Sequence, residues 1–354
     1  MTEEDIEVTS AFVYEEIAVP CDKTDIQIYG QVFLPILYAL VFSIGLVGNF
    51  LVLLTILKAR YQKSITDIFF LNLAISDLLF VISLPFWASY IIHGWTLGNI
   101  ACQIVSSFYS VGLFAGIFFI TIISIDRYLA IVWATRIIKA RTVTYGYLTS
   151  VSIWTLAVFF ASPHFVFIQK SESNCTSLYP EHLKKIWLVF KYIEINIIGL
   201  LLPLCIISFC YLQIIRTLLS CKNHHKKKAM KVILLVVIVF FLFWTPYHIS
   251  LFLQMLQYFD FFKDCSSLRL LDYAIQVTEP LAFSHCCLNP IIYVFAGEKF
   301  RKQLSHLALR CISFTCACGP CSQYRSGVST PISEFAVTSN QTQNTSDQDA
   351  SFLL

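Results

Sequence analysis

Long apolar stretches separated by short polar ones dominate the chain. Seven of them, near 32–57, 66–92, 100–132, 145–168, 188–219, 230–256 and 270–295, reach the length a spanning helix requires. That length is about 20 mostly apolar residues. Prolines fall inside several stretches (Pro85, Pro163, Pro203, Pro246, Pro290). A membrane bundle tolerates them because neighbouring groups re-satisfy the freed carbonyls. No internal repeat divides the chain, which argues against an inverted-repeat transporter. The pattern predicts an all-α membrane protein, with a seven-transmembrane helix bundle over residues 32–295 and a separate segment, 1–31, before it. After it, "GEKFRKQLSHLALRCI" alternates apolar and basic positions at helical spacing, predicting a short amphipathic inner-surface helix over 296–311. Residues 312–354 form a Ser/Thr-rich tail with little to bury, expected to be disordered.

Composition supports the membrane reading. The chain is 57% hydrophobic and 13% charged, where an average soluble domain carries roughly a quarter charged residues. The net charge of +3 becomes informative once mapped onto the loops. Lys58, Arg60 and Lys63, then Arg136, Lys139 and Arg141, then Arg216, Lys222, Lys226, Lys227, Lys228 and Lys231 all fall on one side, joined by Lys299, Arg301, Lys302 and Arg310. The segment before the first helix holds Lys23 against eight acids, from Glu3 to Asp25. Basic residues stay inside, so the N-terminus is expected outside the cell and the C-terminus in the cytoplasm. No basic start, apolar core and cleavage site precede the first helix, so no cleavable signal is read there. Nothing resembles a nucleophile–base pair, a phosphate-binding Gly-rich loop or H-E-x-x-H. The expectation is a protein that is not an enzyme, with no cofactor and no nucleic-acid surface.

The chemistry then lies in polar groups inside the membrane, which are costly there and mark function by default. "IISIDRYLAIV" sets Asp126, Arg127 and Tyr128 among aliphatic residues. Asn49, Asp77, Trp154, Pro203, Trp244 with Pro246, and Asn289, Pro290 and Tyr293 of "NPIIY" complete a set with about one per helix. Each alone reads equally well as interhelical glue or a kink.

As a set these residues resemble the rhodopsin-like G-protein-coupled receptors, over residues 32–311. "SLPFW", "DRYLAIV", "FLFWTPY" and "FSHCCLNPIIYVFAGEKF" are similar to chemokine receptors within that family. The resemblance implies that Arg127, neutralised at rest by Asp126, engages a Gi-type G protein when the sixth helix moves outward, with Tyr211 and Tyr293 beside it. It implies an outer cavity faced by Tyr38, Trp87, Tyr109 and Glu279, with Trp244 beneath as the element that senses ligand depth. Asp77 resembles the superfamily's sodium-binding acid, although Gly116 stands where a hydroxyl is common. Lys226 stands where many receptors place an acid that latches the arginine, Ser83 where many chemokine receptors have Thr, and Trp133 where His is common. Tyr109 replaces the acid of amine receptors and Phe283 the retinal lysine of opsins, which excludes both ligand classes.

The resemblance also pairs Cys102 with Cys175 and Cys21 with Cys265. Cys205, Cys210, Cys286 and Cys287 read as small buried hydrophobes. Cys311, Cys316, Cys318 and Cys321 are too irregularly spaced for zinc and lie where membrane-adjacent cysteines accept palmitate. The tail hydroxyls, Ser326 to Ser351, suit receptor kinases and arrestin. Asn174-Cys-Thr is an outer glycosylation sequon; those at Asn340 and Asn344 fall in the cytoplasm and are expected bare. Tyr14, beside Glu15 and Glu16, resembles the sulfated tyrosines of chemokine receptors. The implied partner is a small basic chemokine.

Overall fold

A computed structural model describes residues 21–22, 24–58, 64–134, 142–219, 224–259, 261–262, 264–296 and 305. Tyr14, the expected surface helix, the four tail cysteines and the tail hydroxyls lie outside the described residues, as do the side chains of Lys226 and Tyr293. Helices α1 (Thr24–Leu57), α2 (Ile65–His93), α3 (Asn99–Val132) and α4 (Val143–Val166) come first. A β-hairpin follows, β1 (Ile168–Ser171) and β2 (Asn174–Ser177). Helix α5 (Lys184–Asn196) passes through a π-helical turn, Ile197–Leu201, into α6 (Leu202–Leu219). Then come α7 (His224–Leu256), α8 (Cys265–Phe283) and α9 (His285–Ala296). Among the described residues, counting α5–α6 and α8–α9 as one segment each gives seven.

The bundle has inverted polarity. On α1 the outward stripe is apolar, with Val32, Ile36, Leu40, Ile44 and Val47 all more than half exposed. The inward face carries Tyr38, Gly45, Asn49 and Val52. Asp77, Ser83, Ser106, Ser124 and Asn289 are buried as well. A water-soluble protein does not expose so large a contiguous apolar surface, whereas lipid tails solvate it. Five segments among the described residues are long and apolar enough to cross a membrane, the last being the whole of Glu181–Leu219. Helix α3 runs through the middle, packed on α2, α4 and α6, while α1 leans on α2, α8 and α9.

Helix starts follow capping chemistry. Ser64 and Asp67 form a capping box: Asp67 N donates to Ser64 Oγ at 3.2 Å and Ser64 N donates to Asp67 Oδ2 at 2.8 Å. Thr142 caps α4 through Tyr145 N, and Asp264 caps α8 through Ser267 N at 2.8 Å. Hydrogen bonds from Ser266 and Ser267 hold the Asp264 carboxyl down at about 2.

Three features depart from the sequence expectation. Helix α1 begins at Thr24, inside the segment 1–31 expected to precede the bundle. Asp22 accepts from Thr24 N at 3.0 Å, Arg269 pairs with Asp25 at 2.5 Å, and Cys21–Cys265 (Cα–Cα 5.5 Å) fastens the start of α1 to the start of α8. The polar loop after α4 folds as a hairpin with Ser171 opposite Asn174. Glu172, at φ 50°, takes the left-handed position that such a two-residue turn needs. Cys175 on β2 bonds Cys102 at the head of α3, Cα–Cα 5.8 Å, laying the hairpin over the bundle mouth. Finally, Cys210 and Cys286 are buried but Cys205 faces outward from α6. Its neighbours Pro203 and Ile207 take the inward positions of that turn.

Proline positions explain two local features. Pro290 has no N–H for the carbonyl of Cys286, four residues earlier. Asn49 Nδ2 donates to that carbonyl at 3.1 Å, and to Gly45 O at 3.0 Å. Pro203 likewise has no N–H to give Gly199 O, and the π-helical turn sits at this place.

Candidate functional site

The polar side chains stack from the outer to the inner end of the bundle. At the outer end, Tyr38 OH donates to Glu279 Oε2 at 2.9 Å, joining α1 to α8. The Tyr109 and Tyr247 hydroxyls lie within electrostatic reach of this carboxylate. Lys191 on α5 lies within electrostatic reach of both Glu279 and Glu194. Rings form a cup around the carboxylate. Trp87 and Tyr109 have centroids 6.2 Å apart, Tyr109 and Phe283 5.7 Å, and Tyr247 and Phe283 6.3 Å. The four outer-cavity residues named from the sequence therefore come together. An anionic centre walled by aromatic faces suits a cation, which is attracted both by the charge and by the ring quadrupoles.

Below the cup, Trp244 is 1% exposed and packs its ring 4.9 Å from His285 and 5.6 Å from His248. Deeper still, Asn289 Nδ2 donates to Asp77 Oδ2 at 2.7 Å, linking α9 to α2. A Cβ at Gly116 would lie 3.7 Å from Asp77 Oδ1. Gly116 supplies no hydroxyl of its own there, while Ser76 Oγ lies 3.6 Å from the same point. On the far side of α2, Trp154 Nε1 donates to Asn72 Oδ1 at 2.9 Å.

At the inner end, Arg127 Nη2 lies 3.8 Å from Asp126 Oδ2 and donates to Thr66 Oγ1. Thr66 Oγ1 in turn donates to Asp126 Oδ2 at 3.1 Å. The guanidinium is thus held by its own neighbour and by α2. Tyr211 on α6 is buried within electrostatic reach of the guanidinium. Tyr128 points away from this group: its hydroxyl accepts from Trp133 Nε1 at 2.7 Å and its ring meets Phe209 at 5.8 Å.

Sequence reasoning missed five participants. Thr66 sits in "SITDIFF", where nothing local marks it out, and its hydroxyl becomes meaningful only once α2 meets α3. Tyr247 and Lys191 gain meaning only from their place beside Glu279. His164 on α4 pairs with Glu194 on α5 at 3.3 Å, both largely buried. A carboxylate on one apolar helix and an imidazole on another give no local signal of their pairing.

Seven helices with an inverted polarity, an outer carboxylate cup and an inner arginine on α3 define a membrane receptor that links its two faces. The 7 transmembrane receptor (rhodopsin family) matches residues 48–293. Over nearly the full length the chain is 50% identical to CX3C chemokine receptor 1 of Bos taurus, with 97% of each chain covered. It is likewise 50% identical to CX3C chemokine receptor 1 of Homo sapiens, with 98% of each covered. C-C chemokine receptor type 4 of Homo sapiens is 48% identical over 96% of this chain and 93% of its own. The chain belongs to the rhodopsin family of seven-transmembrane receptors and, within it, to the chemokine receptors, as its motifs implied. It is a multi-pass membrane protein.

Proposed function

We propose that this receptor binds a small basic chemokine outside the cell and passes the event to a Gi-type heterotrimeric G protein inside. Fractalkine is the first ligand candidate, because the full-length similarity runs to CX3C chemokine receptors. A CC chemokine is the second, given the similarity to C-C chemokine receptor type 4. The observation that carries the reading is the Glu279 cup, an acid that accepts from the Tyr38 hydroxyl inside a ring of aromatic faces.

The chemokine's folded body docks on the acidic segment 1–21, steered by its charge in a salt-dependent way. A sulfated Tyr14 adds a permanent charge there. The ligand's N-terminus enters the cup, where an ammonium replaces a tyrosine hydroxyl on Glu279. Pressure on Trp244 and rearrangement around Asp77 and Asn289 carry the change inward. Outward movement of α7 then frees Arg127 from Asp126 and Thr66 to meet the G protein. In the membrane the N-terminus lies outside and the tail inside. Palmitate on Cys311, Cys316, Cys318 or Cys321 anchors the surface helix in membrane lipid, and receptor kinases and arrestin act on the tail. The signal serves cell migration or adhesion.

The test is Gi activation in a cell line expressing the receptor, measured against a chemokine panel. Fractalkine or a CC chemokine should give saturable nucleotide exchange. A chemokine that is bound and internalised with no exchange would instead make the chain a non-signalling scavenger. Slower association of the Tyr14→Phe variant, with a shallower salt dependence, checks the steering arm.

A further inference from the structure

His248 is a buried polar side chain at the floor of the outer cup, against Trp244 and Tyr247. It sits one turn outward of Trp244 on α7 and is 1% exposed. Neither ring nitrogen has a hydrogen-bond partner among the described residues. Its contacts are to rings, with Trp244 at 5.6 Å and Tyr247 at 6.0 Å, and to the π-helical turn between α5 and α6. There Gly199 makes room for it: a Cβ at 199 would lie 3.1 Å from His248 Cε1 and 3.6 Å from Nε2. Buried polar groups are paired in the great majority of cases, and an orphan calls for an explanation. An imidazole with two unpaired nitrogens in a membrane bundle destabilises the free protein, where a leucine would not. Pro203 accompanies the irregular turn that sets Gly199 opposite the ring, and π-helical turns recur at functional sites.

We infer that His248 is a second ligand anchor, pairing with an uncharged hydrogen-bonding group at the deepest point of the inserted chemokine N-terminus, such as a peptide amide or hydroxyl. This rests on the proposed chemokine function and deepens it. Glu279 takes the charge of the ligand tip and His248 takes its polar backbone or side chain. Because the ring is sealed between α7 and the π-helical turn, reaching it parts α7 from Gly199. The pairing therefore favours the outward position of α7, so His248 acts on activation more than on docking.

His248→Leu separates this role from packing. With no ligand, the purified His248→Leu receptor should melt at the parent temperature or above it, because an unpaired polar group has been replaced by an apolar one. With full-length chemokine its Gi potency should fall about tenfold or more, the loss of one hydrogen bond made in the active state. Chemokine affinity should change far less. His248→Gln should recover most of the potency. A chemokine lacking its N-terminal residues should distinguish parent from His248→Leu weakly or not at all. A lower melting temperature for His248→Leu, or equal potency losses for full-length and truncated chemokine, would make the ring a packing element and overturn the inference. Unchanged potency would mean that water alone satisfies it, which also overturns it. Failure of the parent to respond to any chemokine would instead remove the underlying function, while the ligand-free melt still decides whether the ring is structural.

Discussion

Glu279→Gln offers the sharpest test of the outer site. The substitution keeps the shape of the side chain and an oxygen to accept from Tyr38 at 2.9 Å, so the link between α1 and α8 survives. It removes only the charge. An ammonium about 4 Å from a carboxylate gains about 4 kcal/mol at the effective dielectric typical of protein sites. Stripping water from both groups cancels a large part of that gain. Hydrogen bonds to charged groups retain about 1.5–3 kcal/mol net, and each 1.4 kcal/mol is about a tenfold change. The expected result is a loss of agonist potency of about 10- to 100-fold with normal surface expression. Tyr38→Phe is the control, because it removes a donor that competes with the ligand and leaves the charge in place. Its potency should stay within about threefold of the parent, on the small net worth of one replaceable hydrogen bond. The measurement is a concentration–response curve for Gi activation, paired with surface labelling. Unchanged potency for Glu279→Gln would refute the ligand role. Retention of the protein inside the cell would show that the carboxylate serves the α1–α8 junction instead.

The remaining predictions concern the rest of the stack. Arg127→Ala should abolish nucleotide exchange while chemokine binding persists, since the guanidinium lies at the inner end, against Asp126 and Thr66; single-turnover exchange on purified G protein, alongside ligand binding, checks it. Gly112→Ala should lower stability by about 1–3 kcal/mol, the usual range for overpacking. The new Cβ would sit 2.8 Å from both Phe80 N and Ser76 O, so α2 and α3 must separate; an unchanged melt in detergent would contradict that close approach. The Asp264 cap should show a defined pH behaviour, because its folded value of about 2 lies below the ordinary 3.8. Its contribution is fully present above about 3.8 and disappears as pH falls through about 2. The difference in melting temperature between parent and Asp264→Ala should therefore be constant from pH 7 to 5 and shrink only in strong acid.

Much of this protein is legible without its structure, because lipid imposes a simple rule. Backbone groups must be satisfied within each spanning segment, so a long apolar stretch can only be a helix. Every polar residue inside such a stretch then stands out, and Asn49, Asp77, Arg127, Glu279 and Asn289 announce themselves by composition alone. Their partners do not. Thr66 under Arg127 and Tyr38 on Glu279 come from residues 61 and 241 positions away. His248 against Gly199 and His164 on Glu194 depend in the same way on how different helices meet. Those pairings follow from the rotation and depth of each helix against its neighbours, which side-chain packing sets and no local pattern encodes. The early start of α1 and the hairpin over the mouth have the same origin. Polar sequence permits a loop, a strand or a capped helix turn, and the Cys21–Cys265 and Cys102–Cys175 bonds together with the Arg269–Asp25 pair select among them.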